Sequence, residues 1–143
     1  MEKAIRTLAE LEAEAGSFVR TLAPGAGATL ITLQGELGAG KTAFAQAVAR
    51  ALGVEEVVTS PTFVLEKIYA LHDQPFKRLV HIDAYRLESG ADIAPLGFDE
   101  LSQDPGNLVL FEWPEKVGGA LRAPAAAISF TVNSDGSRTI TYG

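Results

Sequence analysis

Three observations predict an α/β fold with a mainly parallel central sheet. Apolar runs of strand length alternate with stretches of helical periodicity. The runs at residues 56–59, 78–82 and 108–111 are predominantly apolar rather than alternating, as in strands covered on both faces. Between the run 30–33 and a helical stretch at 43–52 lies Gly35-Glu36-Leu37-Gly38-Ala39-Gly40-Lys41-Thr42, a glycine-rich turn where a strand hands over to a helix.

The elements follow in chain order. Thr7-Leu8-Ala9-Glu10 has capping-box spacing, so a helix is expected to begin at Leu8. Leu8, Leu11, Ala15, Phe18 and Leu22 recur at steps of three or four and form one apolar face, stopped by Pro24-Gly25. Gly25-Ala26-Gly27 follows a helix rather than a strand and reads as a loop. Residues 30–33 form a short buried strand. Residues 43–52 form a helix with Phe44, Val48 and Leu52 on one face and Gly53 as its stop. A further strand is expected at 63–69, ending near Asp73-Gln74-Pro75. Residues 127–133 and 138–142 flank the turn signal Asp135-Gly136 and predict a C-terminal hairpin at the antiparallel edge of the sheet. The expected whole is one domain over residues 1–143.

Composition narrows the function. A chain of 143 residues buries roughly 70% of its unfolded surface, enough for one core. With 12 Lys plus Arg against 18 Asp plus Glu, the net charge of −6 argues against autonomous nucleic-acid binding, so RNA contact would need a partner. The absence of cysteine excludes disulfides and thiolate metal sites. The opening MEKAIRTLAELEAEAG carries acids where a signal peptide needs an apolar segment, and no run has membrane-spanning length. A cytoplasmic protein without membrane contact is expected.

Gly35, Gly40, Lys41 and Thr42 match G-x-x-x-x-G-K-[ST] in full, with the required strand before and helix after. Closely packed backbone N–H groups can surround a polyphosphate only where side chains do not obstruct the turn. The helix N-terminus adds partial positive charge. Lys41 supplies an ammonium to the β and γ phosphates, and the Thr42 hydroxyl suits Mg²⁺. The predicted fold is therefore P-loop NTPase-like, and the predicted nucleotide contacts are Gly35, Glu36, Leu37, Gly38, Ala39, Gly40, Lys41, Thr42 and Ala43.

Mg²⁺ also needs a carboxylate at the end of a neighbouring strand, and both Asp83 and Glu112 follow mostly apolar runs. Spacing does not separate them. The uninterrupted run before Glu112 favours Glu112 with Thr42 as the metal pair, leaving Asp83 as a second group or water-positioner. Thr59-Ser60-Pro61-Thr62-Phe63 is a candidate γ-phosphate switch, with Thr62 as its catalytic hydroxyl, and reads equally as an ordinary turn. His81 reads as a satisfied core histidine rather than a catalytic one, and Trp113 as packing a loop against the site.

Taken together, GELGAGKT, TSPTF, HIDAYRL (residues 81–87) and FEWPE (residues 111–115) resemble the TsaE family in identity and order. The resemblance implies a cytoplasmic ATPase of tRNA threonylcarbamoyladenosine synthesis, binding ATP or ADP with Mg²⁺. Such a protein works with the TsaD and TsaB proteins, supports turnover of that transferase and meets tRNA only within the complex. It also implies phosphate contacts from Gly38 to Thr42, Mg²⁺ contacts from Thr42 and Glu112, and Asp83 close to the γ-phosphate. A basic residue of the C-terminal hairpin would lie near the nucleotide, for which Arg138 is the candidate, and the N-terminal helix would pass near the adenine. Glu36 stands where the family often has Asp, and Phe63 where Tyr is common.

Rival classes remain. No Asn-Lys-x-Asp guanine reader occurs. A small-molecule kinase would need an arginine-bearing lid, whereas Arg78, Arg86 and Arg122 are dispersed. A non-enzymatic module gated by ATP against ADP is the contrasting alternative.

Overall fold

The computed structural model describes residues 1–55 and 66–143. The described strands are β1 (Glu2–Ile5), β2 (Thr29–Gly35), β3 (Glu66–Ala70), β4 (Arg78–Asp83), β5 (Asn107–Glu112), β6 (Ala126–Val132) and β7 (Arg138–Tyr142). The α-helices are α1 (Leu8–Val19), α2 (Lys41–Ala51) and α3 (Phe98–Gln103), with short 3-10 turns at Gly90–Leu96, Pro114–Lys116 and Gly118–Ala120. All seven strands join one sheet in the order β1-β7-β6-β2-β5-β4-β3. The central four, β6, β2, β5 and β4, run parallel, and the outer pairings are antiparallel. This is the expected α/β arrangement, with the C-terminal hairpin extending one side of the sheet.

Period-two alternation explains how the sheet is covered. Ile31 and Leu33 of β2, Leu79 of β4 and Leu108 and Leu110 of β5 face α1 and α2. Leu30, Val80, Ile82, Val109 and Phe111 face the opposite side, which α3 and the turn at Gly90–Leu96 cover through Phe98 and Ile93. Helix α2 is alanine-rich, so it approaches the sheet closely, and Phe44 anchors it. Phe44 is fully buried, with ring centroids 6.0 Å from Phe18 and 5.5 Å from Phe130.

Several boundaries differ from the sequence expectation. Glu10 N–H donates to Thr7 Oγ1 at 3.1 Å, as a capping box requires, but the Glu10 carboxylate accepts from Arg6 N–H at 2.7 Å, one residue before the cap. Helix α1 ends at Val19, and Leu8 stays 61% exposed instead of joining Leu11, Ala15 and Phe18 in the core. Helix α2 begins at Lys41, two residues before the apolar periodicity. Strand β1 and helix α3 carry no pattern that announces them. The expected strand at 56–59 and the first residues of the one at 63–69 lie outside the described residues. No described helix is long and apolar enough to cross a membrane.

Candidate functional site

Strands β2, β4 and β5 run parallel, so their carboxyl ends gather at one edge of the sheet, where open α/β sheets bind ligands. Gly35 closes β2 there with φ +153°, and a Cβ on it would lie 2.7 Å from the Phe130 carbonyl oxygen. Only glycine fits so close to β6. Gly38 and Gly40 follow with φ +80° and +111°, and Gly40 opens α2 without a side-chain cap. Several backbone amides in the first turn of α2 therefore have no helical partner and point out of the helix. Glu36 and Leu37 are exposed at the tip of the loop, Ala39 is buried under it, and Ala43 lies on the next turn.

Lys41 is 4% exposed. Its ammonium donates to the Gly35 carbonyl, to the Glu36 carbonyl at 3.1 Å, and sits 3.8 Å from the centroid of the Trp113 ring. Burial pushes the Lys41 pKa down, while Glu112, Glu115 and Asp83 pull it back up. Trp113 holds a left-handed backbone, φ 63°, an unfavourable conformation for a bulky residue. Its ring packs on Tyr85 at 5.0 Å. Trp113 thus packs against the site as expected, through the lysine itself.

The two candidate acids are neighbours. Asp83 and Glu112 are paired in register across β4 and β5, and so share the face that carries α2. The Thr42 hydroxyl donates to Glu112, 3.1 Å from Oε1 and 3.3 Å from Oε2. Glu112 is 2% exposed, and its Oε2 lies 2.5 Å from His81 Nε2. Asp83 is half-buried and accepts from Tyr85 N–H at 3.0 Å. Burial raises the Asp83 pKa, the Tyr85 amide opposes that, and the Glu112 charge adds to the rise. At the rim, the Arg138 guanidinium reaches the Gly38 carbonyl at 3.4 Å and the Gly136 carbonyl at 2.6 Å.

The structure therefore brings Gly35 to Ala43, Asp83, Glu112 and Arg138 to one place. Thr62 and the rest of the candidate switch lie outside the described residues. His81 is a core histidine, as expected, but it is satisfied at one nitrogen rather than both: Nδ1 has no hydrogen-bond partner among the described residues, while Nε2 meets the candidate metal acid. That contact depends on the register of β4 on β5, which no local pattern reveals. A cleft of about 260 Å³ also adjoins the loop, lined by Leu8, Leu11, Ala39, Ala43, Phe130 and Arg138 among others. Leu8, misplaced in the core by periodicity, belongs to that cleft.

The fold and site define an α/β protein with a Walker A-type strand-to-helix loop at the carboxyl edge of its parallel strands, flanked by two strand-end carboxylates. The family model described as "Threonylcarbamoyl adenosine biosynthesis protein TsaE" matches residues 5–140, and the chain belongs to the TsaE family. It is 41% identical over 113 residues to the tRNA threonylcarbamoyladenosine biosynthesis protein TsaE of Treponema pallidum, covering 79% of this chain and 80% of that protein. To the Bacillus subtilis protein of the same description it is 36% identical over 113 residues, covering 79% of this chain and 68% of the relative. The crystal structure of Bacillus subtilis YdiB superposes with a TM-score of 0.78 at 28% identity, covering 99% of this chain and 83% of that one.

Proposed function

We propose that this chain is a Mg²⁺-dependent ATPase, weak alone and stimulated by partners. In this reading it acts in the cytoplasm and supports repeated turnover of the TsaD–TsaB transferase in threonylcarbamoyladenosine formation on tRNA. The observation that carries the proposal is the 3.1 Å contact between Thr42 Oγ1 and Glu112 Oε1 beside a glycine loop that opens a helix. The Thr42 hydroxyl and the Glu112 carboxylate are hard oxygen donors, which fit Mg²⁺. When bound, Mg²⁺ neutralises charge on the phosphoryl oxygens.

The chain's own residues divide the remaining work. Backbone amides from Gly38 to Thr42 hold phosphate oxygens. The Lys41 ammonium, on a flexible stem, exchanges the Gly35 and Glu36 carbonyls for the β and γ phosphates. Asp83 orients the attacking water as a hydrogen-bond acceptor, and its raised pKa makes it a better proton acceptor than an exposed carboxylate. Arg138 adds positive charge at the rim, and Thr62 senses the γ-phosphate. The cleft beside Leu8 and Phe130 receives the adenine.

A kinase lid is disfavoured because Arg78 pairs with Asp104 and Asn107 at the amino end of β4, while Arg122 donates to the Ser102 carbonyl. Both are committed at the edge opposite the loop. The test is phosphate release from ATP by the chain alone and with the TsaB and TsaD proteins. At least about ten-fold stimulation by partners is expected, a threshold set well below the about 10³–10⁵-fold that a partner-supplied arginine contributes to phosphoryl transfer. ATP binding without release in the presence of both partners would identify a nucleotide-gated module instead.

A further inference from the structure

We propose that His81 is a positioning residue that holds the Glu112 carboxylate toward Thr42, and that the metal affinity of the site depends on it. The inference rests on the reading of Thr42 and Glu112 as the metal-holding pair and assigns that pair a support from His81, the first residue of HIDAYRL.

Glu112 ends β5 with a flexible side chain and 2% exposure, so both carboxylate oxygens need partners inside the protein. Its side-chain hydrogen-bond partners among the described residues are the Thr42 hydroxyl, whose single hydrogen is shared between two oxygens, and His81 Nε2. His81 is opposite Leu110 in the β4–β5 register, two positions before the Asp83–Glu112 pair and on the strand that neighbours Glu112. A histidine there reaches diagonally to the carboxylate. The ring is 1% exposed and cannot turn toward water.

The other ring nitrogen sharpens the argument. His81 Nδ1 is buried with no hydrogen-bond partner among the described residues. Leu79, Leu108 and Leu110 pack on the same face, so a leucine at position 81 would fill the site without a desolvated nitrogen. A purely structural histidine would be expected to satisfy both nitrogens. The ring's one polar contact among the described residues goes to Glu112, where it fixes Oε2 and restricts the carboxylate to the orientation that meets Thr42. Partners of metal-binding groups set ligand orientation in this way.

The experiment measures binding of a fluorescent ADP analogue to the whole chain, in EDTA and across a Mg²⁺ titration, so that metal affinity is read without turnover. His81→Phe keeps a planar ring, slightly larger, and removes the donor. Its Mg²⁺ midpoint is expected to rise about 10–100-fold, while metal-free nucleotide affinity stays within about two-fold of wild type. His81→Gln returns an N–H at the ε position and should recover most of the loss. His81→Asn places its amide too short and should behave like the phenylalanine variant. If His81→Phe does not fold, the glutamine and asparagine variants carry the comparison. A wild-type midpoint in His81→Phe, or equal midpoints for glutamine and asparagine, overturns the proposal. A Glu112→Gln control separates the two levels: loss of Mg²⁺ dependence there with a normal His81→Phe overturns only the positioning role. Wild-type binding that ignores Mg²⁺ overturns the metal pair and the positioning role together.

Discussion

Gly35→Ala and Gly38→Ala, compared as a pair, test whether the loop geometry is set by its contact with β6. A Cβ at Gly35 would lie 2.7 Å from the Phe130 carbonyl oxygen, 3.1 Å from Phe130 Cβ and 3.3 Å from Ala39 Cβ. Phe130 is the register partner of Gly35, so backbone faces backbone and no flexible side chain can give way. The backbone conformation costs about 1–3 kcal/mol for a residue with a side chain. Overpacking adds about 1–3 kcal/mol. At roughly 4 °C per kcal/mol for a chain of this length, Gly35→Ala should melt about 8–24 °C lower than wild type. Gly38 has φ +80° with nothing within 4 Å of a Cβ. Its alanine variant carries only the left-handed penalty of about 1–2 kcal/mol, or about 4–8 °C. Relief of the Gly35 clash would displace the carbonyl that accepts from Lys41, so nucleotide affinity should fall at least about ten-fold, equivalent to about 1.4 kcal/mol. Thermal melts and fluorescent-nucleotide titration read both effects. Equal melting temperatures for the two variants would refute the argument from close approach.

Further predictions follow from burial and charge. Asp83→Asn keeps the acceptor for Tyr85 N–H and removes a charge beside Glu112, so it should abolish turnover while raising the melting temperature at neutral pH. Its raised pKa means that the native state holds the proton more tightly than the unfolded chain, so this residue's contribution to stability falls as pH rises through that window. Lys41 has the opposite sign: its lowered pKa means that stability from this group increases with pH between the lowered and ordinary values. Nucleotide affinity, which needs the ammonium, should weaken as pH rises, starting below the ordinary lysine range, as a pH series of binding titrations would show. Phe44→Ala should cost about 3–5 kcal/mol in chemical denaturation, because it empties the contact that seats α2 on the sheet.

Parts of the fold were legible because local pattern and tertiary environment agree. The cores of β2, β4, β5 and the β6–β7 hairpin are marked by apolar runs and by Asp135-Gly136. The sequence of β1, EKAI, has only Ile5 buried, and its strand state comes from pairing with β7. Helix α3, FDELSQ, is short and polar, held by Phe98 against Phe111. Lys41 and Thr42 interrupt the apolar periodicity, so the helix they begin appeared to start later. The site was legible where spacing along the chain sets geometry, as in the glycine loop. It was not where two strands must align: the Asp83–Glu112 pairing and the His81–Glu112 contact exist only in the β4–β5 register. Arg138 was found through family resemblance, and its approach to Gly38 across the fold has no local signal.

Calorimetric titration of ATP in the presence of Mg²⁺, into the wild-type chain and a Lys41→Ala variant shown to be folded, is the most direct measurement. One ATP per chain with the wild type, and loss of that binding when the ammonium is removed, is the predicted outcome. Equal affinity in the two proteins, or no heat from either, would contradict the assignment of residues 35–42 as a phosphate-holding loop.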